Sequence, residues 1–318
     1  MKVLVTGGLG RVGSMVVEEA LRQGFQVRAT DLKTDKTAAL AERFRAQGVE
    51  LILGDLLDTD FLKSLVNDVD AILHNAAILP PHTETKPEFA RKVNVGITQT
   101  IVDLIETMPK MPRLIFLSTF TVFGQAMSDD SMVAVDTPVN PDTEYTRNKV
   151  ACENMLRASR IPFVILRLGA AIDARESDSA DKDQLRLGLK IAANTPEHWV
   201  HPKDVALAQC RAAVVPEAVG KTFHIGGDDS CRVSHYELVA AAVDAAGLTL
   251  SRDVFGKDRF NSHWMDTSES QRVLQFQRYN FADYRKEYAD KFKTVRLFVK
   301  PLSFIISPIT NLYFKRFL

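Results

Sequence analysis

The chain has 318 residues, 46% of them hydrophobic, enough for one large α/β unit or two closely joined domains around a sizeable core. Forty Lys and Arg balance forty Asp and Glu, so no global field draws the chain to nucleic acid or to an anionic membrane. Cys152, Cys210 and Cys231 are scattered, with no CxxC pair and no metal-ligating cluster around them; they read as reduced thiols of a cytoplasmic protein rather than a disulfide framework.

The chain starts directly on KVLVTG (2–7), without a charged-then-apolar leader before it. No run of about 18 apolar residues follows anywhere, so no transmembrane helix is expected. The helical pattern RVGSMVVEEALRQG comes next, then QVRATD (26–31), a helix through TAALAERFRAQG, and VELILGD (49–55). DAILHNAA (70–77), RLIFLST (113–119) and PFVILRLG (162–169) supply further strands with helices between them. Apolar strands separated by helices of this length predict a parallel sheet covered on both faces, a doubly wound α/β fold of the Rossmann kind. Ligands bind such sheets outside the carboxyl ends of the strands, where the strand order reverses.

TGGLGRVG places Gly7, Gly10 and Gly13 between the first strand and the first helix. The first glycine permits a tight turn, the second lets backbone approach a pyrophosphate, and the third lets helix pack on sheet. Alone the pattern is weak, since a flexible turn has the same composition. It gains weight from Asp31, at the end of the second strand and 24 residues after Gly7, where a carboxylate meets the adenosine ribose. Asp31 repels a 2′-phosphate, which favours NAD; Lys33 softens that repulsion, so NADP stays open.

Further along, EYTRNK (144–149) sets a tyrosine and a lysine four residues apart, on one face of a helix and about 6 Å apart along its axis. By itself that is an ordinary surface pair. Asp204, in HPKDVALAQCRAAVV, is well placed to N-cap the helix that follows, and His201 reads as a packed or capping histidine. VSHYELVAAAVDAAG (233–247) is a plain amphipathic helix, LGLKIAAN a short one, and DARESDSADKDQL a polar loop or lid.

TGGLGRVG, GDL (54–56), HNAA (74–77), VNVGIT (93–98), STFTVFG (118–124), YTRNK (145–149), HPKDVA (201–206), GKTFHIGG (220–227) and MDTSESQRVLQFQ (265–277) resemble, in order and spacing, the extended short-chain dehydrogenases, the group of NAD-dependent epimerases, dehydratases and steroid dehydrogenases. The resemblance covers residues 1–284. It implies a dinucleotide-binding domain over 1–168 and a smaller substrate-binding lobe over 169–284, interleaved with returning core elements. Residues 285–318 form an apolar, basic-flanked extension beyond it. It also implies that Gly7, Gly10 and Gly13, with Arg11 and Val12 between them, hold the diphosphate, and that Asp31 anchors the ribose. Asp55 and Leu56 flank the adenine; Asn75, Ala76, Ala77 and Ser118 line the cofactor, and Asn94 braces the site. Thr119 stands five residues before Gly124, where the family has its catalytic serine or threonine. Tyr145 is then the general acid/base, Thr119 holds the substrate oxygen, and Lys149 lowers the phenol's pKa and bonds the nicotinamide ribose. A homodimer through 90–107 and 145–158 is implied as well.

Departures from the family's pattern bear on substrate. Sugar-nucleotide members usually carry a phosphate-gripping arginine four positions before His201; this chain has Glu197. Arg167 is followed by Leu168 and Gly169 rather than an aromatic and an asparagine, and Phe123 replaces the usual tyrosine. Lys257 and Arg259 read as solvated charges with some scope to meet an anion. In KTVRLFVKPLSFIISPITNLYFKRFL (293–318), Pro301 and Pro308 are expected to break any long helix. That tail reads either as a segment docked on its own domain or a partner, or as one resting at a membrane surface or roofing an apolar pocket. Three functions stay open: a dehydrogenase or reductase with net NAD(H) turnover on a small secondary alcohol or ketone, a nucleotide-sugar epimerase or dehydratase that keeps its NAD bound, and a non-catalytic cofactor-sensing regulator.

Overall fold

The computed structural model of the chain describes residues 1–125, 132–175 and 182–317. Its first half alternates as the sequence predicts. The elements are β1 (Lys2–Thr6), α1 (Arg11–Arg22), β2 (Gln26–Asp31), α2 (Ala38–Ala46), β3 (Glu50–Leu53), α3 (Thr59–Val66) and β4 (Ala71–His74). Two short helices follow, α4 (His82–Thr85) and α5 (Pro87–Arg91), then a π-helical turn at Lys92–Gly96 that runs into α6 (Ile97–Glu106) and leads to β5 (Arg113–Thr119). Beyond a two-residue β6 (Met132–Val133) come α7 (Glu144–Ala158) and β7 (Phe163–Leu168).

The later chain both returns to this sheet and builds beside it. It comprises β8 (Ala170–Ala171), α8 (Lys182–Lys190), β9 (Pro196–Val200), α9 (Pro202–Val214), β10 (Thr222–Ile225), β11 (Arg232–Ser234), α10 (His235–Ala245), β12 (Trp264–Met265), α11 (Ser268–Leu274) and α12 (Phe281–Lys291). The central sheet has seven parallel strands in the order β10-β7-β5-β4-β1-β2-β3. The order reverses between β1 and β4, whose last residues Thr6 and His74 lie side by side. Successive strand residues point to opposite faces, so both faces are apolar. Val3 and Val5 join a core with α1, α2 and α9, whereas Leu4 joins a second core with α3, α6 and α7. The seventh strand, β10, was not foreseen: only its surrounding GKTFHIGG was noted. A strand of four residues has too little period to stand out, and register against Ile165–Leu168 of β7 defines it.

The sequence placed the N-cap of α9 at Asp204; the structure gives it to His201, whose Nδ1 accepts from Lys203 N at 2.9 Å. Asp204 instead lies inside the helix and is buried, its Oδ2 accepting from Arg278 N (3.1 Å) and Tyr279 N (3.0 Å). His201 also stacks on Tyr279, which fits a packing and capping role. Of the polar stretch expected as a loop or lid, residues 176–181 lie outside the described residues.

The tail departs most from expectation. α13 (Lys293–Val299), a 3-10 turn at Lys300–Leu302 and α14 (Ser303–Phe314) run on without a break. Pro301 falls in the turn, where a missing N–H is tolerated, and Pro308 sits within α14. Bonds on either side of Pro308, from Ser307 and Asn311 to residues 249–251, hold the helix across it. By length and composition the stretch is apolar enough to cross a membrane, contrary to the expectation that none is.

Candidate active site

Backbone geometry builds one wall of the site. Gly7 follows β1 with φ +64°, a left-handed conformation that disfavours a side chain, and a Cβ there would lie 2.9 Å from Ala76 N. At Gly13 a Cβ would sit 2.0 Å from the Gly7 carbonyl oxygen, so only glycine lets α1 press against the loop. Gly10 caps α1 without a side chain, and the first turn contains no acid. Its N–H groups and the helix dipole are therefore left to an anion. At the end of β2, Asp31 is fixed by accepting from Leu9 N (2.9 Å) and Leu32 N (2.8 Å). Asp55 Oδ1 accepts from Leu57 N at 2.9 Å.

A buried pair, not foreseen from sequence, ties the ends of β1 and β4 together. Thr6 Oγ1 accepts from Asn75 N (3.1 Å) and Ala76 N (3.2 Å), so its own hydrogen goes to His74 Nδ1, 2.7 Å away. Burial pushes His74 down to about 3, and the nearby Lys149 charge adds to this, so the imidazole is neutral. Asn75 Oδ1 is held by Gln209 Nε2 from α9 at 3.0 Å. Asn94 does not line the cleft: its Oδ1 accepts from Ile78 N (2.7 Å) and its Nδ2 donates to Ile78 O (3.0 Å), bracing the wall from behind.

The opposite wall comes from β5 and α7. Thr143 and Thr146 form a reciprocal cap on α7. Glu84, reaching across from α4, accepts from Glu144 N and Tyr145 N, each at 3.1 Å. An acid at a helix N-terminus is favourable, and this one fixes the turn that carries Tyr145. Lys149 is buried; its Nζ donates to Leu117 O at 2.7 Å and stands 5.7 Å from the Tyr145 ring centroid. Burial lowers Lys149 to about 8 and pushes the half-buried Tyr145 phenol above its ordinary value. The expected lowering of the phenol is therefore not present in the protein alone, because in this apolar wall the loss of hydration outweighs the ammonium.

Ser118 and Thr119 alternate across β5. Ser118 Oγ donates to Glu153 Oε1 (2.6 Å), part of a buried cluster in which Arg167 grips Glu153 with Nε (3.0 Å) and Nη2 (2.8 Å). Burial raises the Glu153 carboxyl, but bonds and charge from Arg167 outweigh it and hold the group below its usual range. Thr119 Oγ1 accepts from Thr121 N (3.2 Å) and lies 2.9 Å from Thr121 Oγ1.

These walls enclose a cleft of about 660 Å³. It brings together Gly7, Gly10, Arg11, Val12, Gly13, Asp31, Asp55, Leu56, Asn75, Ala76, Ala77, Ser118, Thr119, Tyr145 and Lys149, every site residue named from the sequence except Asn94. Sequence reading did not place the rest of the apolar lining in the site, which includes Ile78, Leu79, Phe89, Val93, Leu168, Ala171 and Ile172. These residues come from separate segments and share no motif. Glu197 is buried, accepting from His235 Nδ1 at 3.1 Å and from Ser262 Oγ at 3.1 Å. Lys257 and Arg259 line a different cleft of about 360 Å³ with Ala192–Pro196 and Phe260.

A dinucleotide fits these residues: a glycine cradle closed to any Cβ, an uncapped helix N-terminus for a diphosphate, and a fixed carboxylate at the end of the neighbouring strand. Comparison with known proteins agrees. D-erythronate dehydrogenase of Cupriavidus necator is 26% identical over 265 residues, 78% of this chain and 80% of that protein. dTDP-glucose 4,6-dehydratase of Mycobacterium tuberculosis is 30% identical over 164 residues, 50% of this chain and 48% of that one. Against several curated relatives the chain spans only about half of the relative's length (52% and 48%). The fold matches UDP-glucuronic acid 4-epimerase of Bacillus cereus, solved with UDP-glucuronic acid and NAD, at a TM-score of 0.77 and 21% identity; the match covers 93% of this chain and 100% of that one. The profile of the NAD dependent epimerase/dehydratase family matches residues 3–226, and the chain belongs to that family.

Proposed function

We propose that the protein is an NAD(P)-dependent oxidoreductase that transfers a hydride at a secondary alcohol or ketone of a small, apolar substrate, with NAD preferred. The observation that carries this reading is the gathering of Thr119, Tyr145 and Lys149 in one cleft with the glycine loop and Asp31. When bound, the nicotinamide supplies or accepts the hydride. Tyr145 gives or takes the proton of the substrate oxygen, and Thr119 Oγ1 holds that oxygen in place. Because burial disfavours the phenolate, the Lys149 ammonium is the compensating charge on this chain, present below a pH of about 8. The Asp31 carboxylate, pinned where a ribose 2′ substituent comes, supports NAD over NADP. The apolar wall from Ile78, Phe89, Val93, Leu168 and Ile172 supports an apolar substrate, and Glu197, turned inward to His235, offers nothing to a phosphate.

The second reading, a nucleotide-sugar epimerase or dehydratase that reoxidises or rereduces its own NAD, is favoured by the activities named for the relatives and by Lys257 and Arg259 in a cleft of their own. A cofactor-sensing regulator has no use for the Thr119, Tyr145 and Lys149 set. Family resemblance supports a homodimer through α6 and α7, which sedimentation in solution tests. To separate the first two functions, purified protein is examined for retained dinucleotide. It is then assayed for net change at the nicotinamide absorbance band with NAD and NADP on secondary alcohols and ketones. Net turnover, faster with NAD, is expected. Retained cofactor, no net change and interconversion of a nucleotide sugar transfers the assignment to the second reading.

A further inference from the structure

The segment Lys293–Phe314 is built inside out. Several of its polar side chains bond the protein: Arg296 donates to the carbonyls of Asp244 and Ala245, and Ser307 Oγ accepts from Thr249 N at 3.0 Å. Asn311 Oδ1 accepts from Ser251 N at 2.9 Å, and Lys315 pairs with Asp253. Arg296, Ser307, Asn311 and Lys315 thus tie the segment to residues 244–253 along its length. Phe314 adds an apolar contact to the cluster of Leu250, Val254 and Phe255. The segment's large apolar side chains are left open: Phe298 and Phe304 are each 74% exposed, Leu297 69%, Ile309 62% and Leu312 61%. A soluble helix does the reverse, burying its apolar stripe and wetting its polar one. An apolar face of this size on a protein surface marks a partner.

Charge identifies the partner. Residues 293–318 hold five of the chain's forty basic residues and none of its forty acidic ones; Arg296 and Lys315 are engaged with residues 244–253, and Lys293, Lys300 and Arg316 are exposed. A second copy of this face would bring like charges together, whereas an anionic bilayer supplies both an apolar phase and the opposite charge. A span across the bilayer would have to break the contacts to residues 244–253 and carry Arg296 and Asn311 into hydrocarbon. We propose that Lys293–Phe314 lies in the plane of an anionic membrane surface, apolar face in the acyl boundary, and seats the protein there as a peripheral enzyme. This inference does not rest on the proposed catalytic chemistry, and its test reads no activity.

The test is co-sedimentation of the full-length protein with vesicles of phosphatidylcholine alone and of phosphatidylcholine mixed with phosphatidylglycerol, at low and high salt. Binding to the anionic vesicles, weakened by salt and reversed by alkaline carbonate, is expected. Lys293→Gln with Arg316→Gln, both exposed, should weaken it about thirtyfold, at about one unit charge's worth each. Phe298→Ser with Phe304→Ser should lose at least about tenfold on either vesicle. If that pair proves unfolded by its thermal transition, the wild-type lipid comparison and the charge variant still decide. Failure of the wild type to bind anionic vesicles overturns the proposal. So does attachment that resists carbonate and ignores lipid charge, the mark of a span. A dimer that the phenylalanine substitutions dissolve, with no vesicle binding, assigns the face to a second copy instead.

Discussion

The rim of the central sheet and the chain after residue 190 expose opposite things. At the rim, the first backbone N–H groups of α1 have no side chain to cap them, and the glycines keep the approach clear. In the chain after residue 190, polar side chains are turned inward: Ser307 and Asn311 on residues 249–251, Glu197 on His235, and Asp204 on Arg278 and Tyr279. At the tail it is apolar surface that is left outside. Each region advertises its partner by what it leaves unsatisfied, an anion in the first case and an apolar phase in the second. A second contrast lies beneath this one. Backbone shapes the rim, and long-range side-chain bonds shape the rest.

Tyr145→Phe is the largest break available, because it removes a side-chain function from the wall opposite the backbone-built glycine loop. Turnover should fall about a thousandfold while dinucleotide uptake, followed by fluorescence titration, is unchanged. Uptake lost along with turnover would mean that the phenol, and not the loop, holds the cofactor. Gly13→Ala should act the other way. Its methyl meets the Gly7 carbonyl, which cannot yield, so stability drops by about 3 kcal/mol in denaturant unfolding and uptake is lost. Gly188→Ala in α8, where an added Cβ meets nothing, should instead gain about 1 kcal/mol. Equal effects at the two glycines would erase the distinction between the rim and the later chain.

The smallest effect is graded with pH. Burial lowers His74 and His224 to about 3 and His198 to about 4, and it lowers His263 as well. Each folded value is below the unfolded one, so the unfolded chain takes up protons first as the medium is acidified. The stability tied to each neutral imidazole is complete above the unfolded value of about 6.5 and is lost as pH falls toward the folded value, at about 1.4 kcal/mol per pH unit. Three of the four lie after residue 190, where His198 Nδ1 accepts from Met265 N (3.0 Å) and His263 Nε2 donates to Gly124 O (2.8 Å). Hydrogen exchange below pH 6 should therefore quicken at residues 196–200 and 264–265 before β1 and β4. The reverse order would place the weak point at the Thr6–His74 pair.

Particular residues show how far the sequence could be read. Gly7, Gly10 and Gly13 were legible because a left-handed turn and a helix pressed on its loop admit no other residue, and those demands fall within seven positions. Tyr145 and Lys149 were legible as neighbours because helical period alone sets them on one face. Asp204 was misread: His201 and Asp204 are both fair caps by local rules, and the choice fell to Arg278 and Tyr279, more than seventy residues later. Pro308 was misread for the same kind of reason, since contacts to residues 249–251 carry α14 through it.

The sequence by itself determined the alternating strands and helices, the glycine cradle, Asp31 and the phenol–ammonium pair, because each follows from short-range sterics or from a period that a few residues can display. Tertiary structure alone decided the Thr6–His74 pair at the rim, the apolar wall of the cleft, the upward displacement of the Tyr145 phenol and the exposed apolar side chains of the tail. Burial and hydrogen-bond partnership depend on which distant segments meet, and no local pattern carries that information.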